Sequence, residues 1–67
     1  KVSIELNDNQ NLKELSDLLK TEGETRISII LNKDNKKYAF ELEKTRKFDF
    51  TTFSTIKDKQ YVKKISF

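Results

Sequence analysis

The sequence predicts an α+β fold of order βαββαβ, a two-layer sandwich with two helices on one face of a four-stranded, mainly antiparallel sheet. Three observations predict it. A β-branched segment, Arg26 to Leu31, and an alternating segment, Tyr38 to Glu43, flank a polar loop, as in a β-hairpin. A helical pattern precedes this hairpin and another follows it, and strand patterns open and close the chain. Right-handed crossovers then place both helices on one sheet face, in a split βαβ arrangement.

The first third of the chain predicts a strand and an amphipathic helix. Val2 to Leu6 alternates apolar with polar residues, as a half-buried strand does. Asp8 or Asn9 can cap the helix that follows. Gly23, the only glycine, is expected to end that helix in a left-handed conformation. The helix carries one apolar stripe at helical spacing, formed by Leu12, Leu15, Leu18 and Leu19.

The central hairpin predicts how the sheet is oriented. Its strands are joined by a polar segment at 32–37. Because Glu41 and Glu43 are costly to bury without partners, the side chains of Tyr38, Phe40 and Leu42 should form the core face of the second strand. The opposite, open face would then be mixed, with Ser3, Glu5, Ser28, Ile30, Ala39, Glu41 and either Val62 or Lys64.

The last third predicts a helix and a strand. Phe48 and Phe50 alternate after a basic segment, so either the third strand resumes there or a loop is fixed by its aromatic residues. Apolar residues then recur every three positions, which predicts a short helix from Phe50 to about Lys59. The candidate caps of this helix are Asp49, Thr51 and Thr52. The segment at 61–67 predicts a final strand, whose register stays open because both of its faces carry apolar side chains.

The composition excludes several classes of function. The chain has no Cys and no His, which removes disulfides, the usual zinc ligands and the commonest nucleophile and base pairs. One glycine cannot build a glycine-rich phosphate-binding loop. Glu41 and Glu43 share a strand face, but no third group is spaced to complete an acid-base site with them. We therefore expect a noncatalytic domain without metal, cofactor or small-molecule ligand.

Length and charge describe a single domain, 1–67. The net charge of +3 is small for a protein that binds nucleic acid. The longest apolar run, Ile29 to Leu31, is far shorter than the roughly 20 residues that cross a bilayer, so we expect a cytoplasmic protein without a membrane partner. The sequence has no Met, which suggests that Lys1 is internal to a longer protein from which this domain is excised.

One short motif favours an alternative function. Lys37-Tyr38-Ala39-Phe40 resembles the aromatic strand of the RNA recognition motif, a family that shares the βαββαβ order. The resemblance implies a single-stranded nucleic-acid-binding module that stacks bases on Tyr38 and Phe40. The basic residues available for phosphate contacts are Lys36, Lys37, Arg46 and Lys47. Against it, the family's orientation would bury Glu41 and Glu43 and expose Leu42.

A second resemblance covers the whole chain. The sequence resembles the extreme C-terminal domain of the bacterial DNA polymerase III alpha subunit through Val2 to Leu6, Leu12 to Leu19, Glu22 to Leu31, Tyr38 to Leu42, Phe50 to Ile56 and Val62 to Ile65. That resemblance implies a noncatalytic protein-interaction domain that tethers the polymerase to the clamp-loader tau subunit during DNA replication. It places the active site and its metal-binding aspartates upstream, in a parent DNA-directed DNA polymerase through which DNA is bound.

Aromatic side chains are the first candidates for partner contacts in such a domain, because aromatic residues supply many interface hot spots. The candidates are Phe48, Phe50, Phe53, Tyr61 and Phe67. Each is also a reasonable core residue in a chain this small.

Overall fold

The structure is a computed structural model that describes residues 1–67. Its elements are β1 (Val2–Leu6), α1 (Leu12–Leu18), β2 (Glu22–Thr25), β3 (Ile27–Lys33), β4 (Lys36–Glu41), α2 (Phe50–Lys57) and β5 (Val62–Ser66). Four of the strands form one sheet in the order β4-β3-β1-β5, and β2 lies outside it. The predicted α+β class, with a mainly antiparallel four-stranded sheet and two helices, is confirmed. Neither helix has the length and apolar character needed to cross a membrane.

The predicted split βαβ arrangement is wrong. The two central strands, β1 and β3, are direct neighbours and pair in parallel, with Val2 opposite Ile27 and Leu6 opposite Leu31. The outer strands β4 and β5 pair antiparallel with β3 and β1. The physical reason is burial. Strand β4 carries Lys36, Lys37 and Glu41, which are costly to bury, so it occupies an edge, where all six of its residues are exposed. The two strands with fully apolar inner faces occupy the centre.

The core lies between the helices and one face of the sheet. Its eight buried side chains are Val2, Ile4, Leu6, Leu15, Leu19, Ile27, Ile29 and Ile56. Leu15 and Leu19 come from the first helical segment and Ile56 from α2, so both helices cover the same face, as predicted. Leu12 and Leu18 complete the leucine stripe as partly buried residues packed against the core.

The open face of the sheet has the predicted composition. Strand register puts Ser3 beside Ser28, and Glu5 beside Ile30 and Lys64, on the side away from the helices. Ala39 and Glu41 of β4 follow on the same side. The register left open for the last strand is now assigned. Val62 packs against the core and Lys64 belongs to the open face, with an irregularity in the pairing between the two.

Tyr38 and Phe40 point to the predicted side of the sheet but are not core residues. They lie opposite Leu31 and Ile29, on the face that the helices cover. Their exposed fractions are nevertheless 50% and 44%, because β4 is an edge strand with a neighbouring strand on one side only. Leu42, just beyond β4, is partly buried against the core.

The hairpin between β3 and β4 is tighter than the sequence predicted. Both strands continue into the polar segment, so that Asp34 and Asn35 alone form the turn. Their φ angles are 53° and 63°. Two consecutive left-handed residues suit a two-residue hairpin, and Asp and Asn tolerate this conformation better than most residues.

The predicted ends of α1 are wrong. Asn11, and neither Asp8 nor Asn9, occupies the N-cap position, and its side chain makes no capping hydrogen bond. The Asp8 carboxylate instead accepts a bond from the Gln10 N–H at 3.0 Å, within the preceding turn. Gly23 does not cap the helix, because it belongs to β2 and its φ is not positive.

Candidate protein-interaction surface

Four of the five predicted partner-binding residues form one aromatic cluster, consisting of Phe48, Phe50, Phe53 and Phe67. Phe53 is the centre, with ring centroids 5.5 Å from Phe67 and 6.5 Å from both Phe48 and Phe50. The rings of Phe48 and Phe67 lie 6.3 Å apart in an edge-to-face arrangement. These separations are those of favourable aromatic pairs. The cluster joins the start of α2 to the end of β5.

The N-terminal cap of α2 determines the position of the aromatic cluster. Asp49, one of the three predicted candidates, is the N-cap of α2. Its carboxylate accepts hydrogen bonds from the backbone N–H and the hydroxyl of Thr52, both at 2.9 Å. These bonds lower the pKa of Asp49, and Lys47 Nζ at 3.5 Å contributes further. A capped helix start therefore presents Phe50 and Phe53 from successive turns.

The aromatic cluster is half inside and half outside the molecule. Phe48 and Phe53 are half-buried, and Phe48 packs against the core. Phe50 and Phe67 have exposed fractions of 79% and 81%. Together with Asp49 the four rings line an open depression of about 340 Å³. The cluster is therefore an apolar surface patch with its rings held from one side and exposed on the other.

Tyr61 does not belong to the aromatic cluster. It borders a polar depression with Glu14, Lys59 and Gln60 among its neighbours, where Lys59 Nζ and a Glu14 carboxylate oxygen are 3.0 Å apart. Its hydroxyl is buried without a hydrogen-bond partner. Burial and the Glu14 carboxylate raise the pKa of Tyr61 to about 12. Tyr61 therefore acts as a packing residue at this position, and sequence pattern could not separate it from the four phenylalanines.

The residues of the nucleic-acid alternative are not brought onto one surface. Tyr38 and Phe40 lie on the helix side of β4, with Lys36 before them at the hairpin. Lys37 points to the open face, where its Nζ is 3.4 Å from a Glu5 oxygen. The remaining two basic residues have structural partners. Arg46 donates to the backbone oxygens of Lys44 and Leu19, both at 3.0 Å, and Lys47 pairs with Asp49.

Ion pairs occupy the open face of the sheet. Glu41 accepts two bonds from Arg26, both at 3.0 Å, and Lys1 Nζ lies 3.6 Å away. The Arg26 bonds lower the pKa of Glu41, and the carboxylate in turn raises the pKa of Arg26. Glu43 lies beyond the end of β4, so the predicted carboxylate pair on one strand is not formed. No group of three acidic side chains is arranged to hold a metal ion.

A second apolar feature, which the sequence did not reveal, lies beside β4. A groove of about 220 Å³ runs between α1 and this strand, and is lined by Leu12, Leu15, Ser16, Leu19, Ile29, Phe40 and Leu42. The groove exists because β4 is an edge strand that the helices do not fully cover. The sequence did contain one indication that β4 is an edge strand. Charged residues flank Tyr38 and Phe40, and charged residues are more common in edge strands than in central ones.

Comparisons with models of known protein families, with curated proteins and with solved structures found no match.

Proposed function

We propose that this chain is a noncatalytic protein-interaction domain that binds its partner through the aromatic cluster. The observation that carries the proposal is the exposure of Phe50 and Phe67, at 79% and 81%, beside two rings that anchor them. Leaving two phenylalanines in water costs free energy that a partner surface would recover. The rings are held by a capped helix and by a strand end, so little conformational entropy is lost on binding.

The partner we propose is the tau subunit of the bacterial clamp loader. Support for it comes from the whole-chain resemblance to the C-terminal domain of the DNA polymerase III alpha subunit. Tethering is the mechanism that a domain of this kind would use. A bound tau subunit would raise the effective concentration of polymerase at the replication fork, and no new chemistry would be needed.

The test is a pair of titrations with the 67-residue chain. Purified tau C-terminal domain should bind, and a labelled single-stranded oligonucleotide should not. Phe50→Ala and Phe67→Ala should each weaken tau binding about tenfold, because each removes an exposed ring from the contact surface. Far-UV circular dichroism should show that both variants keep the fold.

Tyr38→Ala is the matched control, because Tyr38 is also a half-exposed aromatic residue but lies on β4, away from the aromatic cluster. It should bind tau as the unmodified chain does. Two results would contradict the proposal. One is tau binding that Phe50→Ala and Phe67→Ala leave unchanged. The other is salt-sensitive oligonucleotide binding that Tyr38→Ala abolishes, which would favour the nucleic-acid alternative.

A further inference from the structure

The outer edge of β4 is an unpaired strand edge. The N–H of Leu42 donates to the Ile27 oxygen at 2.9 Å, which shows that this residue points its backbone groups at β3. Backbone groups alternate in direction along an antiparallel strand. The N–H and C=O groups of Lys37, Ala39 and Glu41 therefore point away from β3, at the edge of the sheet. Such an edge is a template for another strand.

The sequence of this edge is complementary to itself. Lys37-Tyr38-Ala39-Phe40-Glu41 has opposite charges at its ends and an aromatic residue on each side of a central alanine. If two copies run antiparallel with their Ala39 residues opposite each other, each Lys37 faces the Glu41 of the second copy. Each Tyr38 then faces the Phe40 of the second copy. Opposite charges and aromatic pairs are the cross-strand contacts that stabilise sheets.

The backbone fits the same register. The three residues with outward N–H and C=O groups, Lys37, Ala39 and Glu41, would lie opposite Glu41, Ala39 and Lys37 of the second copy. Residues that face each other with outward groups exchange two hydrogen bonds per pair. If the second copy were shifted by one residue, each residue with outward N–H and C=O groups would face a residue whose groups point inward, and these hydrogen bonds could not form.

We infer that a second copy of this chain pairs antiparallel with β4, centred on Ala39, and joins two four-stranded sheets into one. On the helix side, the pairing covers Tyr38 and Phe40, which are 50% and 44% exposed in the single chain. On the open side, it brings Lys37 next to the Glu41 carboxylate that Arg26 already binds. The contact is two-fold symmetric and therefore closes at a dimer.

The dimer proposal is independent of the proposed function. Phe67 of the aromatic cluster directly follows β5, the strand at the opposite edge of the sheet from β4, and packs against Phe48 and Phe53. Both surfaces can therefore be occupied at once, and each can be tested by variants that leave the other intact.

Charge reversal gives the sharpest test, by sedimentation velocity over a range of concentrations. In a dimer of Lys37→Glu, a carboxylate at position 37 of each copy would face the carboxylate at position 41 of the other. In a dimer of Glu41→Lys, two ammonium groups would face each other in the same places. Each variant alone should associate more weakly than the unmodified chain. An equal mixture should associate about tenfold more tightly than either variant alone, because both pairs are again of opposite charge.

Lys63→Glu is the matched control for Lys37→Glu. Both lysines lie beside a Glu5 carboxylate oxygen, with Lys63 Nζ at 3.8 Å and Lys37 Nζ at 3.4 Å. Lys63, however, belongs to β5 and is not part of the proposed contact. Lys63→Glu should dimerise as the unmodified chain does. Ala39→Pro is a second variant that does not depend on the ion pairs. It removes an N–H that has no internal partner, so it should abolish the dimer and keep the fold.

Three results would overturn the dimer proposal. One is an unmodified chain that stays monomeric at millimolar concentration, which would leave the edge to an extended segment of another protein. Another is self-association that a folded Ala39→Pro variant retains. The third is a mixture of folded charge-reversal variants that associates no better than the separate variants.

Discussion

Glu5 is the most enclosed charged side chain of the molecule, with an exposed fraction of 8% on the open face of the sheet. One of its carboxylate oxygens accepts a bond from the Asn32 amide at 2.8 Å. Lys37 and Lys63 flank the same oxygen. The Asn32 bond is the largest of the effects that lower the pKa of Glu5, and the two ammonium groups add to it against the opposing effect of burial. Glu5 therefore stays ionised in a nearly buried position.

This environment predicts acid sensitivity at Glu5. The folded pKa lies below the ordinary value of 4.5, so the carboxylate stabilises the fold fully above that value and loses its contribution as the pH falls through the lowered pKa. The unmodified chain should lose stability between about pH 5 and about pH 2. Glu5→Gln should show a shallower loss, because it has no carboxylate to protonate. Urea midpoints measured over this range at constant ionic strength would show the difference.

Glu24→Gln is the control for acid sensitivity, since Glu24 is exposed and forms no ion pair. Its loss of stability in acid should parallel that of the unmodified chain. Some loss should remain in Glu5→Gln, because the pKa values of Glu14, Glu41 and Asp49 are also lowered. A Glu5→Gln chain that loses stability as steeply as the unmodified chain would contradict the assignment.

At the scale of elements, β2 and the segment at 45–47 hold the end of α1 to the rest of the fold. The Gly23 N–H donates to the Thr45 oxygen at 3.3 Å, and the Lys47 N–H donates to the Thr21 oxygen at 2.8 Å. The Arg46 guanidinium reaches the Leu19 oxygen, just past the helix. This crossing explains why the only glycine lies at position 23. A side chain there would meet the backbone of the crossing segment.

Gly23→Ala should destabilise the protein. An added Cβ would lie 2.5 Å from both Cα and N of Lys47, and backbone atoms cannot move aside as a flexible side chain can. We expect the free energy of unfolding to fall by about 1 to 3 kcal/mol, as in other overpacked sites. Urea denaturation of Gly23→Ala and of Glu24→Ala, its exposed neighbour, would test this. If the two variants were equally stable, the backbone at 45–47 would be able to move away from the added Cβ with little loss of free energy of unfolding.

The elements themselves were largely predictable, and their ends and neighbours were not. The leucine stripe and the alternation along β1 and β4 identify helices and strands because apolar periodicity follows burial. The cap of α2 was among the predicted residues, since Asp49 directly precedes the apolar repeat. The role of Gly23 was not predictable, because it depends on a crossing with residues more than 20 positions away in the chain. Strand order was misjudged for a similar reason: a hairpin and a crossover fit several arrangements.

At the scale of the whole molecule, strand order decides which surfaces are available for binding. Four of the five predicted contact residues meet in the aromatic cluster, because α2 and β5 are neighbours. The free edge of β4 and its groove became visible only once β4 was placed outermost. Aromatic composition thus indicated the first surface. The second surface follows from topology, which short-range pattern does not determine.

The core is small, with eight buried side chains, so each of them should contribute a large part of the stability. Ile56 is fully enclosed and is the one buried residue of α2. Replacing a buried isoleucine by alanine costs about 2 to 5 kcal/mol, and domains have about 0.05 to 0.15 kcal/mol of stability per residue. For this 67-residue domain that is about 3 to 10 kcal/mol, so Ile56→Ala should remove a large part of the stability and lower both the urea midpoint and the melting temperature.

Phe50→Ala is the matched comparison within the same helix. It removes a larger side chain that is 79% exposed, so we expect it to change the free energy of unfolding by less than about 1 kcal/mol. Thermal and urea denaturation followed by far-UV circular dichroism would give both values. If Phe50→Ala proved as destabilising as Ile56→Ala, the aromatic cluster would be part of what holds α2 in place. Its exposure could then no longer be interpreted as a surface kept for a partner.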